Sequence, residues 1–362
     1  MPSTTADLYR QPITQRIDAL LQLSRQHAER FCSPDAWLAR QRYMAKHPTS
    51  IVVMKCMDGR IHIPHATQTP LGIITPFRNL GGIFDIGWPY LGELLTETVL
   101  QATQSGRATL LLITYHFSSG HPARGCAGFN CDADAAKAHA YAIAQQAGQL
   151  FGHDHQQVYP LVCGFETDSD AMILHGQGGE VLDIRDWIDR PANDLHATLA
   201  SLCPDMPDDV QRDLLPLLAG NMAHVSELSG VTRELDIEHR EWVICIGRGF
   251  DFLHLPNTAL IIGPYGPDLA APLSTAASII EANMCAGRIP KDGFMLLAST
   301  PYQDSGVDRA RAVLKSRFLS NFAEQVIRDH HPGLADKMRR HTAIVHWPTR
   351  RMESLDAPCI SS

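Results

Sequence analysis

The 362 residues carry 31 lysines and arginines against 39 aspartates and glutamates, a formal charge of −8 with pI near 6.1, and 44% are hydrophobic. That is ample apolar material for two or three domains, and without a long basic run the chain lacks the electrostatic footprint of a nucleic-acid binder. The opening Met-Pro-Ser-Thr-Thr-Ala-Asp has no basic-then-apolar order, and no apolar run approaches the roughly 18 residues of a membrane span, so a cytoplasmic protein without nucleic-acid or membrane partners is expected.

In chain order, Ile13, Ile17, Leu20 and Leu21 recur at helical spacing, and Ser33-Pro34-Asp35 reads as the cap of a second helix running toward His47-Pro48. Strands and helices then alternate. Short apolar runs occupy Ile51 to Cys56 and Leu71 to Phe77, and a helical pattern follows over Tyr90 to Thr103. A longer apolar run spans Ala108 to His116, an alanine-rich helix Asp132 to Leu150, and a further strand Val158 to Phe165. Continuous apolar strands separated by helices imply an α/β fold with a mostly parallel sheet covered on both faces.

The second half repeats this order. Glu241 to Arg248 parallels the segment around Cys56, Thr258 to Pro264 parallels Leu71 to Phe77, Phe294 to Thr300 parallels Thr109 to Tyr115, and Thr342 to Trp347 parallels Pro160 to Phe165. A recurrent offset of roughly 180 to 190 residues is the mark of a duplicated domain. The expected division is residues 1–190 and 191–362, with the proline-bearing segment from Arg190 to about Gly230 holding the linker and the second copy's leading helices.

The chemistry concentrates in Cys56-Met57-Asp58-Gly59-Arg60, where a thiol, a carboxylate and a guanidinium alternate after a buried strand. Nine scattered cysteines in a chain of this size favour reduced thiols or metal ligands over a disulfide framework. Thiolate suits zinc, and further ligands are expected at neighbouring strand ends. The run Thr109 to His116 ends in a histidine, and Cys126 lies in a glycine-flanked turn before the next helix. Cys56, His116 and Cys126 are therefore the candidate zinc ligands, leaving a fourth position open; His121 and Cys131 are nearby competitors. Each also has a plainer reading, as a core thiol, a histidine on a backbone carbonyl, or, for Asp58 with Arg60, a surface ion pair.

Together these features resemble the β-carbonic anhydrases, whose Cys-x-Asp-x-Arg signature is matched by Cys56, Asp58 and Arg60, and whose Arg-Asn-x-Gly segment is matched by Arg78-Asn79-Leu80-Gly81. The resemblance runs in order over about residues 10 to 185. It departs where the family places the second cysteine three residues after the histidine, since Phe117 to Gly125 intervene here. A longer spacing and a degenerate second copy resemble the carboxysomal shell carbonic anhydrases, but their large helical N-terminal domain has no counterpart in the short leader, so carboxysome residence does not carry over. The second copy resembles a stripped one: Cys245 is paired with Cys56, Gly247 with Asp58 and Tyr302 roughly with His116, and no cysteine follows Tyr302 until Cys359.

The resemblance implies one zinc per chain and interconversion of carbon dioxide and bicarbonate by zinc-hydroxide attack. Asp58 would orient the hydroxide, Arg60 would restrain Asp58, and the second half would act as the internal partner of a pseudo-dimer that can associate further. Ile83 and Phe84 are candidates for the carbon dioxide pocket, and His62 or His121 for proton transfer. Hydrolysis of carbonyl sulfide or carbon disulfide on the same scaffold is the alternative activity, and a closed structural or regulatory zinc site is the non-catalytic one. A dinucleotide binder is disfavoured because no Gly-x-Gly-x-x-Gly follows the first strand.

Overall fold

The structure, a computed structural model, describes residues 5–356 apart from 153–156, 189, 191, 231–238, 254 and 256; Cys359 lies outside the described residues. The chain opens with α1 (Ile13–Cys32) and α2 (Pro34–Lys46). Ser33 stops the first and caps the second, its Oγ accepting from Ala36 N at 3.3 Å. There follow β1 (Ser50–Cys56), the single turn α3 (Ile63–Ala66), β2 (Ile74–Asn79), α4 (Pro89–Gln104), β3 (Thr109–Phe117), α5 (Ala133–Phe151), β4 (Val158–Glu166), β5 (Ala171–His175) and β6 (Val181–Asp183). After α6 (Ala192–Leu202) and α7 (Asp208–Leu228), the second half runs β7 (Val243–Gly247), β8 (Ala259–Ile262), α8 (Ala270–Cys285), β9 (Phe294–Tyr302), α9 (Val307–His330), the short α10 (Pro332–Ala335), β10 (Met338–His346) and β11 (Arg351–Ser354).

Two sheets result, ordered β2-β1-β3-β4-β5-β6 and β8-β7-β9-β10-β11. The α/β expectation holds, and both sheets are mostly parallel. Antiparallel pairing is confined to β4-β5-β6 and β10-β11, where short turns replace crossover helices. Central strands are buried on both faces, which is why β1 and β3 read as unbroken apolar runs: Val52, Met54 and Leu111 face one core, and Val53, Leu110 and Leu112 the other. Each such side chain contributes about 1.5–3 kcal/mol by leaving water.

The sheets share more than strand order. Nine residues of β3 pair in parallel with nine of β4, and nine of β9 pair likewise with nine of β10. Each pair then closes through a hairpin, Glu166 opposite Ala171 and His346 opposite Arg351, with the last turn residue left-handed in both, Asp170 at φ 57° and Arg350 at φ 56°.

The halves are tightly joined. The edges β2 and β8 meet, Gly263 N donating to Arg78 O at 2.8 Å and Ile261 N to Met57 O at 3.3 Å, so neither parallel edge is left open for another chain. The leading helices cross over. At the start of α1, Ile13 N and Arg16 Nη2 donate to the Asp292 carboxylate of the second half at 2.7 and 2.6 Å. From α7, Asn221 Nδ2 donates to Ala66 O and Asp170 O of the first half, and Asp213 accepts from Thr49 N.

Candidate metal centre

The carboxyl ends of β1 and β3, neighbours in the first sheet, deliver Cys56 and His116 to one point, and the turn before α5 brings Cys126 to meet them. Their donor atoms all lie within 4.8 Å of one another, and all three residues are buried. Asp132 caps α5, accepting from Ala135 N at 2.9 Å, and so fixes where the turn ends. The turn can approach because of glycine. A Cβ on Gly128 would stand 2.6 Å from Gly81 Cα, and Gly81 and Gly82 both have φ 68°. The Arg-Asn-x-Gly segment thus makes room for the cysteine-bearing loop.

The Cys56 and Cys126 sulfurs are 3.9 Å apart. Two thiolates each about 2.3 Å from a tetrahedral zinc lie about 3.8 Å apart, so the spacing fits. Both nitrogens of the His116 ring are buried without a hydrogen-bond partner, a costly state unless a ligand engages them. Burial opposes ionisation of Cys56, but its hydrogen bond with Cys126 and the charge of His116 reverse the balance and lower its pKa. Cys126 is raised in turn, chiefly because it serves as that hydrogen-bond partner. Two soft sulfurs and an imidazole form a donor set suited to zinc, and a cation among them would favour loss of both thiol protons.

Asp58 lines the cavity beside Cys56. Its carboxylate receives Arg60 N at 2.8 Å, Nη2 at 2.7 Å, and Nε shared at 3.1 and 3.2 Å. Burial pushes the carboxyl up, but the Arg60 guanidinium and the charge of His116 outweigh it and hold Asp58 well below the carboxylate range. Arg60 Nη2 also donates to Arg124 O at 2.9 Å, tying the pair to the cysteine loop. The pair is therefore buried. Gly59 between them packs closely on the second half, a Cβ there standing 3.0 Å from Asn257 N.

Neither competing ligand joins the group. Cys131 lines the cavity rim, with φ 65° and its thiol donating to Ala123 O at 3.3 Å. His121 is exposed. The expected pocket residues are corrected too. Phe84 is buried in the other core against Tyr265, and neither it nor Ile83 lines the cavity of about 260 Å³ at the centre. Its apolar wall is Met57, Leu80, Leu260 and Ile279. His62 is likewise absent from that wall; it caps α3, its Nδ1 accepting from His65 N at 3.2 Å.

No family model matches the chain, and no curated protein does either.

Sequence reasoning missed the second half's share of the site. His239, Glu241, Asn283 and Arg288 line the same cavity as Cys56 and Asp58. Glu241 is 1% exposed, its Oε1 without a partner and its Oε2 held by Asn283 Nδ2 at 3.3 Å. The only sequence signal was a cluster of charged residues, His239-Arg240-Glu241, abutting an apolar strand.

At the matching end of the second sheet the residues differ. Cys245 lies opposite Leu297, fourth in β9, as Val53 lies opposite Leu112, fourth in β3. Cys56 therefore corresponds to Arg248, Lys55 to Gly247, and His116 to Pro301, with Tyr302 at the rung of Phe117. The sequence pairing of Cys245 with Cys56 is out of register by three residues, because an apolar strand can slide along another without changing its pattern. Cys245 itself is a core thiol, raised by burial.

Proposed function

We propose that the chain is a zinc-dependent carbonic anhydrase of the β type, built from a duplicated unit in which only the first copy keeps the metal. The observation that carries this reading is the convergence of Cys56, His116 and Cys126, with the ring nitrogens of His116 unpartnered, beside an Asp58–Arg60 pair. Duplication is supported by the shared strand order, the nine-residue parallel pairings and the matching hairpin turns.

Cys56, His116 and Cys126 would hold zinc, leaving a position for water. Zinc so bound acts as a Lewis acid that makes water nucleophilic near neutral pH, an effect for which carbonic anhydrase is itself the standard example. Asp58 would accept a hydrogen bond from such a water and orient it. Arg60, with four contacts on the carboxylate, keeps Asp58 ionised and turned from the ligands. Met57, Leu80, Leu260 and Ile279 supply an apolar wall against which carbon dioxide can lie while bulk water is kept out. The second half completes this wall, so a pseudo-dimer is the smallest unit with a finished cavity.

Stopped-flow hydration of carbon dioxide by zinc-loaded and chelator-stripped protein tests the reading. Carbonyl sulfide and carbon disulfide belong in parallel assays. Zinc-dependent turnover of carbon dioxide is expected; turnover of the sulfur gases alone, or a zinc protein inert to all three, would overturn it.

A further inference from the structure

Outside the metal cavity lies an open basin of about 900 Å³, formed where the end of α8 meets the residues before α1. Four cations line it, Arg10, Arg240, Arg288 and Lys291, and no described lining residue is acidic. In a chain of net charge −8 such a concentration of one sign stands apart. Of the described carboxylates nearby, Asp292 is held by Ile13 N and Arg16, and Glu241 is turned into the inner cavity, where one oxygen accepts from Asn283. Tyr9 and Arg240 stiffen the rim, the guanidinium carbon lying 3.9 Å from the ring centre.

One residue, Arg288, is shared between the basin and the metal cavity. Its Nη1 donates to Asn283 Oδ1 at 3.3 Å on the cavity wall. Asn283 in turn donates to the backbone and side chain of Glu241. A guanidinium anchored in this way stands at the boundary between the solvent-facing basin and the inner cavity.

We infer that the basin is an anion vestibule, which concentrates a small monovalent oxyanion of the bicarbonate class at the surface and passes it by way of Arg288 to and from the metal cavity. This rests on the reading of the site given above. Clefts lined by one sign of charge focus field lines and raise association rates of oppositely charged ligands by about 10- to 1,000-fold, an effect lost as salt rises. Neutral ligands gain nothing from it. The second half thus supplies three of the four cations of the approach, Arg240, Arg288 and Lys291, as well as part of the cavity wall.

The test uses full-length protein loaded with cobalt in place of zinc, so that ligand arrival at the metal is read from the visible spectrum and not from turnover. Azide is the anionic probe, and imidazole in mildly alkaline solution is the neutral one. Arg10 and Lys291 are exposed, so the double variant Arg10→Glu/Lys291→Glu should fold and take up cobalt normally. At low ionic strength its azide association should be about tenfold slower than that of the unaltered protein, the two should converge in high salt, and imidazole should bind both alike. Arg288→Gln should slow azide in the same manner. A cobalt-loaded variant that binds azide as fast as the unaltered protein, or that loses azide and imidazole equally, overturns the vestibule while leaving the metal centre intact. A chain that takes up no cobalt overturns both.

Discussion

The carboxyl ends of the two sheets share a strand order and a ladder register, yet they carry opposite chemistry. In the first sheet the two rungs hold Cys56 and His116; in the second they hold Arg248 and Pro301. Arginine and proline cannot replace a thiolate and an imidazole as zinc ligands. What remains comparable is the frame: parallel strands that end together, a crossing leading helix, and a hairpin closed by a left-handed residue. The same frame thus ends in ligand-type residues in one half and not in the other, and the half without them furnishes walls and charge at the cavity.

The sharpest break of the comparison comes from Cys56→Ala. It should reduce zinc from about one per chain to near zero and abolish zinc-dependent carbon dioxide hydration, read by elemental analysis and stopped flow. Next in size is Arg60→Ala, which leaves the Asp58 carboxylate buried without its partner. Chemical denaturation should show a loss of about 3–5 kcal/mol. Asp58→Asn keeps the shape and should retain zinc, but turnover should fall about 10- to 100-fold; loss of zinc instead would make Asp58 a ligand. The smallest effect belongs to Cys245→Ala in the second sheet. It should cost about 1 kcal/mol of stability and leave zinc content and turnover unchanged, whereas loss of metal there would erase the contrast between the halves.

Much of the frame was legible from hydrophobic pattern and capping residues. Ser33 and Asp132 mark helix starts that the structure places within a residue, and the unbroken apolar runs around Val52 and Leu111 announced parallel strands buried on both faces. The run Leu71 to Phe77 proved to be strand only over Ile74–Asn79, because Pro70 and Gly72 hold its beginning in a turn. The grouping of Cys56, His116 and Cys126 was legible because thiols and imidazole at strand ends have few other uses together. The Cys245 register was not, since Val, Ile and Cys exchange freely in a buried strand. Nor were His239, Glu241, Asn283 and Arg288, which reach the site through the meeting of two sheet edges, a contact that local pattern does not encode. The placement of Gly59 against Asn257 is the nearest thing to a sequence trace of that meeting, and it becomes readable only once the contact is seen.

On the proposed function the first half alone holds zinc, one ion per chain. Anomalous scattering measured across the zinc absorption edge from crystals of the full chain addresses it directly. A single strong peak per chain is expected among Cys56 Sγ, His116 and Cys126 Sγ, and none near Arg248 and Pro301. No peak among those three residues, or a second at the end of β7, would contradict it.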